Sequence, residues 1–170
     1  VGTLVINTDG AYTFTPAPNY NGPVPVATYL ATDGTASVPG TLTLNVTPLN
    51  DNPAAVNDAN SVPINTAVSG NVLGNDSDLD GDALAVSGFS VAGIPGSFAP
   101  GATAAIPGVG TLLINADGSY TFTPAANYNG PIPVATYAIT DGQGGSASAT
   151  LSLTMGPNNP PVATDDAFPV

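Results

Sequence analysis

Four of the twelve aspartates fall within seven consecutive positions, in Asn75-Asp76-Ser77-Asp78-Leu79-Asp80-Gly81-Asp82. Carboxylates two residues apart would crowd one face of a strand and repel. The chain has no Lys, Arg or His to neutralise them. A bound hard cation is the natural remedy, and Ca²⁺ takes about six to eight oxygens of this kind. Asp76, Asp78, Asp80 and Gly81 match the start of an EF-hand loop, D-x-D-x-D-G. The match ends there: the twelfth position is Ser87 rather than a bidentate Glu, and no helical pattern flanks it. Two readings stay open, a calcium loop in a β context and a solvated Asp-rich turn.

A second set of oxygens lies at a junction. Asn50-Asp51-Asn52-Pro53 leads to Asn57-Asp58, and Asn158-Asn159-Pro160-Pro161 leads to Asp165-Asp166. Proline stiffens such a joint, while Asn and Asp offer ligands. A cation held by Asp51, Asn52 and Asp58, or by Asp165 and Asp166, would stiffen it further. Asp33 and Asp141 each end a strand pattern at a Thr-Asp-Gly turn and could reach the same region. The alternative is that these are linker and turn residues, since Asx and Gly are favoured there in any case. Asp9 and Asp117, each before a Gly between two apolar runs, read as hairpin residues with a type I′ signal.

Composition excludes much else. All twelve acids are Asp, and the net charge of −12 has no side-chain counter-charge. A chain without cations has no groove for nucleic acid and is repelled by an anionic membrane surface. No Cys means no disulfide framework and no thiolate metal site. Without His, Lys or Cys the usual bases and nucleophiles are missing, so only an Asp pair could run acid–base chemistry. Nothing supplies an oxyanion hole, and the sequence points away from an enzyme. No apolar run is long enough to span a membrane. The chain opens on Val1-Gly2-Thr3-Leu4, already strand-like and without an initiator Met, which suggests a segment of something longer.

Positioning falls to an internal repeat. Residues 1–34 and 109–142 align at an offset of 108, with 27 of 34 positions identical. The chain then divides into the C-terminal half of one repeat (1–50), a complete repeat (51–158) and the start of a third (159–170). About 108 residues can bury a core of their own, whereas the half-repeat cannot. Leu112 and Ile114 alternate with polar neighbours, as do Tyr120 and Phe122 across Asp117-Gly118. Further strands are expected at Val62–Val68, Ala83–Val91, Ala102–Ile106 and Val134–Thr140, and around Leu151, Leu153 and Met155. About seven short strands at this spacing predict an all-β fold: tandem Ig-like or cadherin-like antiparallel β-sandwich repeats.

The run from Asp117 to Gly145, the Val72–Asp82 segment and the Asn-Asp-Asn-Pro junction together resemble the tandem cadherin-like and Ig-like repeats (tandem-95 class) of giant bacterial surface adhesins, often of the RTX type. The resemblance covers essentially the whole chain. It implies a secreted, cell-surface protein whose domains are strung end to end and stiffened by Ca²⁺ at or near the joints. In the first copy Thr35-Ala36-Ser37-Val38-Pro39 replaces the Gln143-Gly144-Gly145-Ser146 turn.

The function expected first is a structural extender, a stalk that holds a distal adhesive domain away from the cell. Near-identical repeats favour it, because a spacer needs length and stiffness more than distinct sites. A self-assembling extracellular filament or sheath is the alternative, with the half-repeat completed by another chain through strand addition. A carbohydrate-binding module using Tyr20 and Tyr128 is a third, although both tyrosines also suit a corner that packs a loop. The expected partners are neighbouring repeats of the same chain or copies of itself, besides an unidentified distal adhesion ligand.

Overall fold

The structure, a computed structural model, describes residues 1–157. The expected third stretch, 159–170, lies outside these residues. Every regular element among them is a strand, and none is a helix able to cross a membrane. The chain divides into two units, Val1–Leu49 and the part that starts at Asn50.

Unit one holds six short strands. β1 (Gly2–Ile6) and β2 (Tyr12–Pro16) form a hairpin in which Leu4 faces Phe14 and Ile6 faces Tyr12. β3 (Gly22–Pro23) pairs with β6 (Asn45–Val46), and β4 (Ala27–Thr32) pairs with β5 (Ser37–Leu42). Three ribbons of two strands do not close a core. Ile6 stays 39% exposed, Tyr12 52% and Tyr29 43%, and Val24 is the unit's one buried apolar side chain.

Unit two is a closed sandwich of two four-stranded sheets. Its strands are β7 (Asp58–Val62), β8 (Val68–Asn71), β9 (Ala85–Val91), β10 (Thr103–Ile106), β11 (Gly110–Ile114), β12 (Ser119–Pro124), β13 (Ala135–Thr140) and β14 (Ser146–Met155). One sheet runs β10-β11-β12-β8 and the other β7-β14-β13-β9. All pairs are antiparallel except β7 with β14, which is parallel. Alternation puts Leu112, Ile114, Tyr120, Phe122, Tyr137, Ile139 and Leu151 on the inner faces. Val62, Val72, Val86, Phe89 and Val91 cover them from the N-terminal half of the repeat.

Two local expectations change. The run Val62–Val68 is not one strand: β7 ends at Val62 and β8 begins at Val68 in the opposite sheet. Pro63 supplies no N–H, its carbonyl accepts from Thr66, and Asn65 takes a left-handed φ of 59°. The Asp117-Gly118 hairpin is not type I′, because only Gly118 has positive φ. Gly118 donates to the Asn115 carbonyl and Asn115 donates to Ser119, a type I turn closed by a left-handed glycine. A Cβ at Gly118 would meet Asn71 and Leu73 closer than atoms allow, so packing and backbone both require glycine there. Asp117 Oδ1 accepts from the Ser119 amide and hydroxyl, which holds its carboxyl below the usual range.

The twin positions predict different costs. Leu112→Ala should destabilise unit two by about 2–5 kcal/mol, because its methyl groups fill a closed core. Leu4→Ala, at the matching position of the open unit, should cost well under half of that. Urea unfolding followed by amide exchange, read separately for each unit, checks both.

Candidate metal centre

The Asp-rich segment is the loop from β8 to β9, not a strand, so its carboxylates do not line one strand face. Both ends of the loop are tied to the β11–β12 turn: Val72 N–H donates to Gly118 and Val86 N–H to Ala116. Between them the chain coils. Asp78 Oδ1 accepts from the amides of Asp80, at 2.9 Å, and Asp82, at 3.2 Å. Gly81 supplies the left-handed φ of 82° that this coil needs. Coiling, rather than strand alternation, brings Asp78, Asp80 and Asp82 together, each offering a carboxylate oxygen within 4.8 Å of the others.

That spacing suits one cation. Two oxygens at 2.3–2.6 Å from a calcium ion lie at most about 5 Å apart. Asp78 Oδ2 is buried without a hydrogen-bond partner, and so is Asp76 Oδ2. A buried carboxylate oxygen with no donor is costly to maintain unless a positive charge meets it. The donor set is carboxylate oxygen throughout, which fits Ca²⁺ and not a metal that prefers nitrogen or sulfur. Asp78, Asp80 and Asp82 are the residues that would hold it.

Asp76 turns away from the other three. Its Oδ1 accepts the Val56 amide at 2.7 Å. Its charge also acts on Asp58, whose carboxyl is pushed above its usual range, by burial first and by Asp76 in addition. Tyr137, fully buried, places its hydroxyl 2.7 Å from Asp58 Oδ2 and 3.0 Å from the carbonyls of both Val56 and Val72. Burial and the neighbouring carboxylates hold the phenol strongly protonated. Three acceptors converge on one hydroxyl, which has a single proton to donate, so Tyr137 works as a structural hub.

These contacts build a strap. Asn50 Nδ2 donates to Asp141 Oδ2 at 2.7 Å, and Asp51 N–H to Asp80 Oδ2 at 2.7 Å. Ala54 bridges Ser77 through two backbone bonds, and Thr150 N–H donates to Asn57 Oδ1. Residues 50–57 are therefore laid along the Asp loop and fixed by carboxylates acting as acceptors. Asp141, only 5% exposed, is already saturated: Oδ1 accepts the amides of Gln143, Gly144 and Gly145. The Asn50 amide and these N–H groups hold its carboxyl below the usual range against the effect of burial. It serves as the clasp of a turn. Asp33, its counterpart in unit one, is exposed and accepts from Ala36 and Thr35 within its own turn, which lowers its carboxyl too.

Of the remaining candidates, Asp51 contributes its amide, and no hydrogen bond of its carboxylate or of Asn52 occurs among the described residues. Asp165 and Asp166 lie outside those residues. Tyr20 and Tyr128 donate to the carbonyls of Pro23 and Pro131 at 2.5 Å, and Tyr128 packs on the core, as corner residues do. Asn50, read among the junction oxygens, acts through its amide N–H instead. Tyr137 carries no charge, and only the recurrence of Tyr at positions 29 and 137 hints at the hub.

The signs of the carboxyl shifts give a pH prediction. Asp141 has a depressed native value, so its contribution is present above the ordinary carboxylate range and fades as pH falls through that depressed value. Asp58 acts oppositely: its native carboxyl takes up a proton sooner than in the unfolded chain, so acidification into that range favours the fold through this group. Asp141→Ala should lower the melting temperature at neutral pH, with a difference from the parent chain that shrinks on acidification. Asp58→Asn should lessen any gain seen on mild acidification. Tyr137→Phe should cost about 1–3 kcal/mol, because buried acceptors lose their donor.

Two family models agree with this all-β architecture. The family described as bacterial cadherin-like domain matches residues 50–157, and cadherin-like domain matches residues 1–47. No curated protein sequence matches the chain. Among solved structures, it is similar to a nucleoside hydrolase-related hypothetical protein from Saccharophagus degradans that is associated with carbohydrate metabolism, at 16% identity and a TM-score of 0.42 over 64% of this chain and 26% of that one. It is similar to the S-layer protein SbsC domains 4 and 5, at 16% identity and a TM-score of 0.30 over 89% of this chain and 65% of that one. A chimeric titin Z1Z2 gives 16% identity and a TM-score of 0.34 over 76% of this chain and 60% of that one. The chain spans about a quarter of the length of the first of these. Because that match spans residues 50–157, more than half of the sequence, the chain belongs to the bacterial cadherin-like domain family.

Proposed function

We propose that this chain is an extender module of a secreted bacterial surface adhesin, a stalk segment stiffened by calcium and without catalysis of its own. Bacterial cadherin-like domains are typically extracellular structural modules, which supports the setting. The observation that carries the proposal is the coupling of the acidic loop to the strap. Asp80 is one of the three clustered carboxylates, and it also accepts the Asp51 amide. Ca²⁺, when bound by these carboxylates, supplies the positive charge that the chain lacks. Fixing Asp80 then fixes the strap, which is the stretch of chain that leads out of the preceding repeat. Asp78 and Gly81 hold the coil in which Asp80 and Asp82 approach each other, and Asp76 fixes the strap again at Val56.

Stiffness follows from this arrangement, because a linker tied at Asn50, Asp51, Ala54 and Val56 has few free torsions left. Without the ion, three clustered carboxylates repel and the loop that holds Asp51 loosens. The negative charge of the whole chain adds to that repulsion, and bound cations reduce it.

A thermal melt of the 170-residue chain at fixed ionic strength, with Mg²⁺ as control, tests this. Ca²⁺ at a hundredfold excess over its Kd should add about 2.7 kcal/mol to the stability of unit two. Asp80→Asn and Asp78→Asn should each remove most of that gain while the metal-free fold persists. Equal shifts with Mg²⁺, or an unchanged calcium response in both variants, would count against the ligand assignment.

A further inference from the structure

Five of the twelve aspartates precede a glycine: Asp9, Asp33, Asp80, Asp117 and Asp141. An Asp-Gly peptide is able to close on itself, because glycine has no side chain to shield its amide nitrogen from the preceding carboxyl carbon. The fold decides which of the five is free to do so. In four of them both reacting groups are occupied. The carboxylate Oδ1 accepts the amide two residues on, from Ala11, Thr35, Ser119 and Gln143. The glycine N–H donates upstream: Gly10 and Gly118 to the carbonyls of Asn7 and Asn115, Gly34 and Gly142 to the hydroxyls of Thr32 and Thr140.

Asp80-Gly81 has neither bond. The amide two residues on, that of Asp82, donates to Asp78 instead. Asp80 Oδ2 accepts from Asp51, far away in the chain. The Gly81 N–H has no acceptor among the described residues. Gly81 is exposed, and open space lies where a side chain would stand. The carboxyl of Asp80 is thus tethered by one contact, beside an amide that nothing holds.

We infer that Asp80-Gly81 is a site of spontaneous isomerisation, a slow modification that releases Asp51 from the acidic loop. The Gly81 nitrogen attacks Asp80 Cγ, and an N–Cγ bond forms. One carboxylate oxygen leaves as water, taking the amide proton and a proton from solvent. Water then opens the cyclic imide. Opening at Cγ restores aspartate; opening at the main-chain carbonyl gives isoaspartate, whose Cβ lies in the backbone. The product has the mass of the parent chain. Its extra backbone carbon breaks the coil in which Asp78 Oδ1 holds the amides of Asp80 and Asp82, and the displaced carboxylate no longer meets the Asp51 amide. The reaction needs no ion. One corollary rests on the calcium reading above: bound Ca²⁺ keeps the Asp80 carboxylate from turning towards Gly81.

The test ages the 170-residue chain at neutral pH in EDTA, folded and in urea, and repeats the folded arm in Ca²⁺. Samples are cut with an endoprotease that cleaves before Asp but not before isoaspartate, so that modification at residue 80 leaves 78–81 joined. In the folded chain isoaspartate is expected at residue 80 about tenfold faster than at the other four, where two hydrogen bonds must be given up before the ring closes. In urea the five rates should converge. Amide exchange at Asp51 should quicken in step with the isoaspartate content. Asp80→Glu lengthens the ring that must close and should abolish the product, while exchange in the sandwich strands reports that the variant is folded. Asn21-Gly22 and Asn129-Gly130 close the same ring with loss of ammonia and give heavier products, so they are read separately. A rate at Asp80 no higher than at the other four, or a lead that persists in urea, would overturn the inference. A rate that Ca²⁺ leaves unchanged would sink only the ligand reading.

Discussion

Twelve carboxylates share a chain that has no cationic side chain. Every buried or crowded one must find backbone N–H donors, side-chain amides or hydroxyls, or a cation from outside. Asp141 takes the first route to completion, with three amides and Asn50. Asp117 and Asp33 do so locally in their turns. Asp76 and Asp78 do not: each keeps one buried oxygen without a donor. Internal donors run out in the β8–β9 loop, and Asp78 is the orphaned acid that also belongs to the carboxylate cluster.

The same shortage explains the strap. Residues 50–57 bring N–H donors to three of these carboxylates. Asp51 donates to Asp80, Val56 to Asp76 and Asn50 to Asp141. The linker is therefore ordered by the acids rather than repelled by them. Tyr137 completes the arrangement from below, since β13 carries it through the core to the carbonyls of Val56 and Val72 and to Asp58. Core packing, the position of residues 50–57 and acid geometry are thus one connected network within unit two.

Much of the fold is legible in the sequence because strand alternation is regular in Leu112–Phe122 and in Tyr137–Ile139, and the internal repeat marks the unit. β9, β10 and β13 begin within two residues of their expected starts. The break at Pro63–Asn65 is not legible, because apolar Val62, Ile64 and Val68 continue the period of two while the backbone turns. The acidic cluster is legible as composition but not as geometry. Spacing by two suggests a strand face; Gly81 and the Asx bonds of Asp78 make a coil that gathers three carboxylates and sends the fourth to Val56. Asp141 looks like a ligand in sequence because residue type cannot show that three amides of its own turn already occupy it.

Asp78, Asp80 and Asp82 would form one cation site that controls the strap. Backbone amide NMR during a Ca²⁺ titration tests it most directly. Saturating shifts are expected to concentrate in residues 76–82 and in strap residues 51–56, with little change around Asp141. Weak, non-saturating shifts spread over all the acidic turns would contradict it, since they would mean that calcium only screens the charge of the chain.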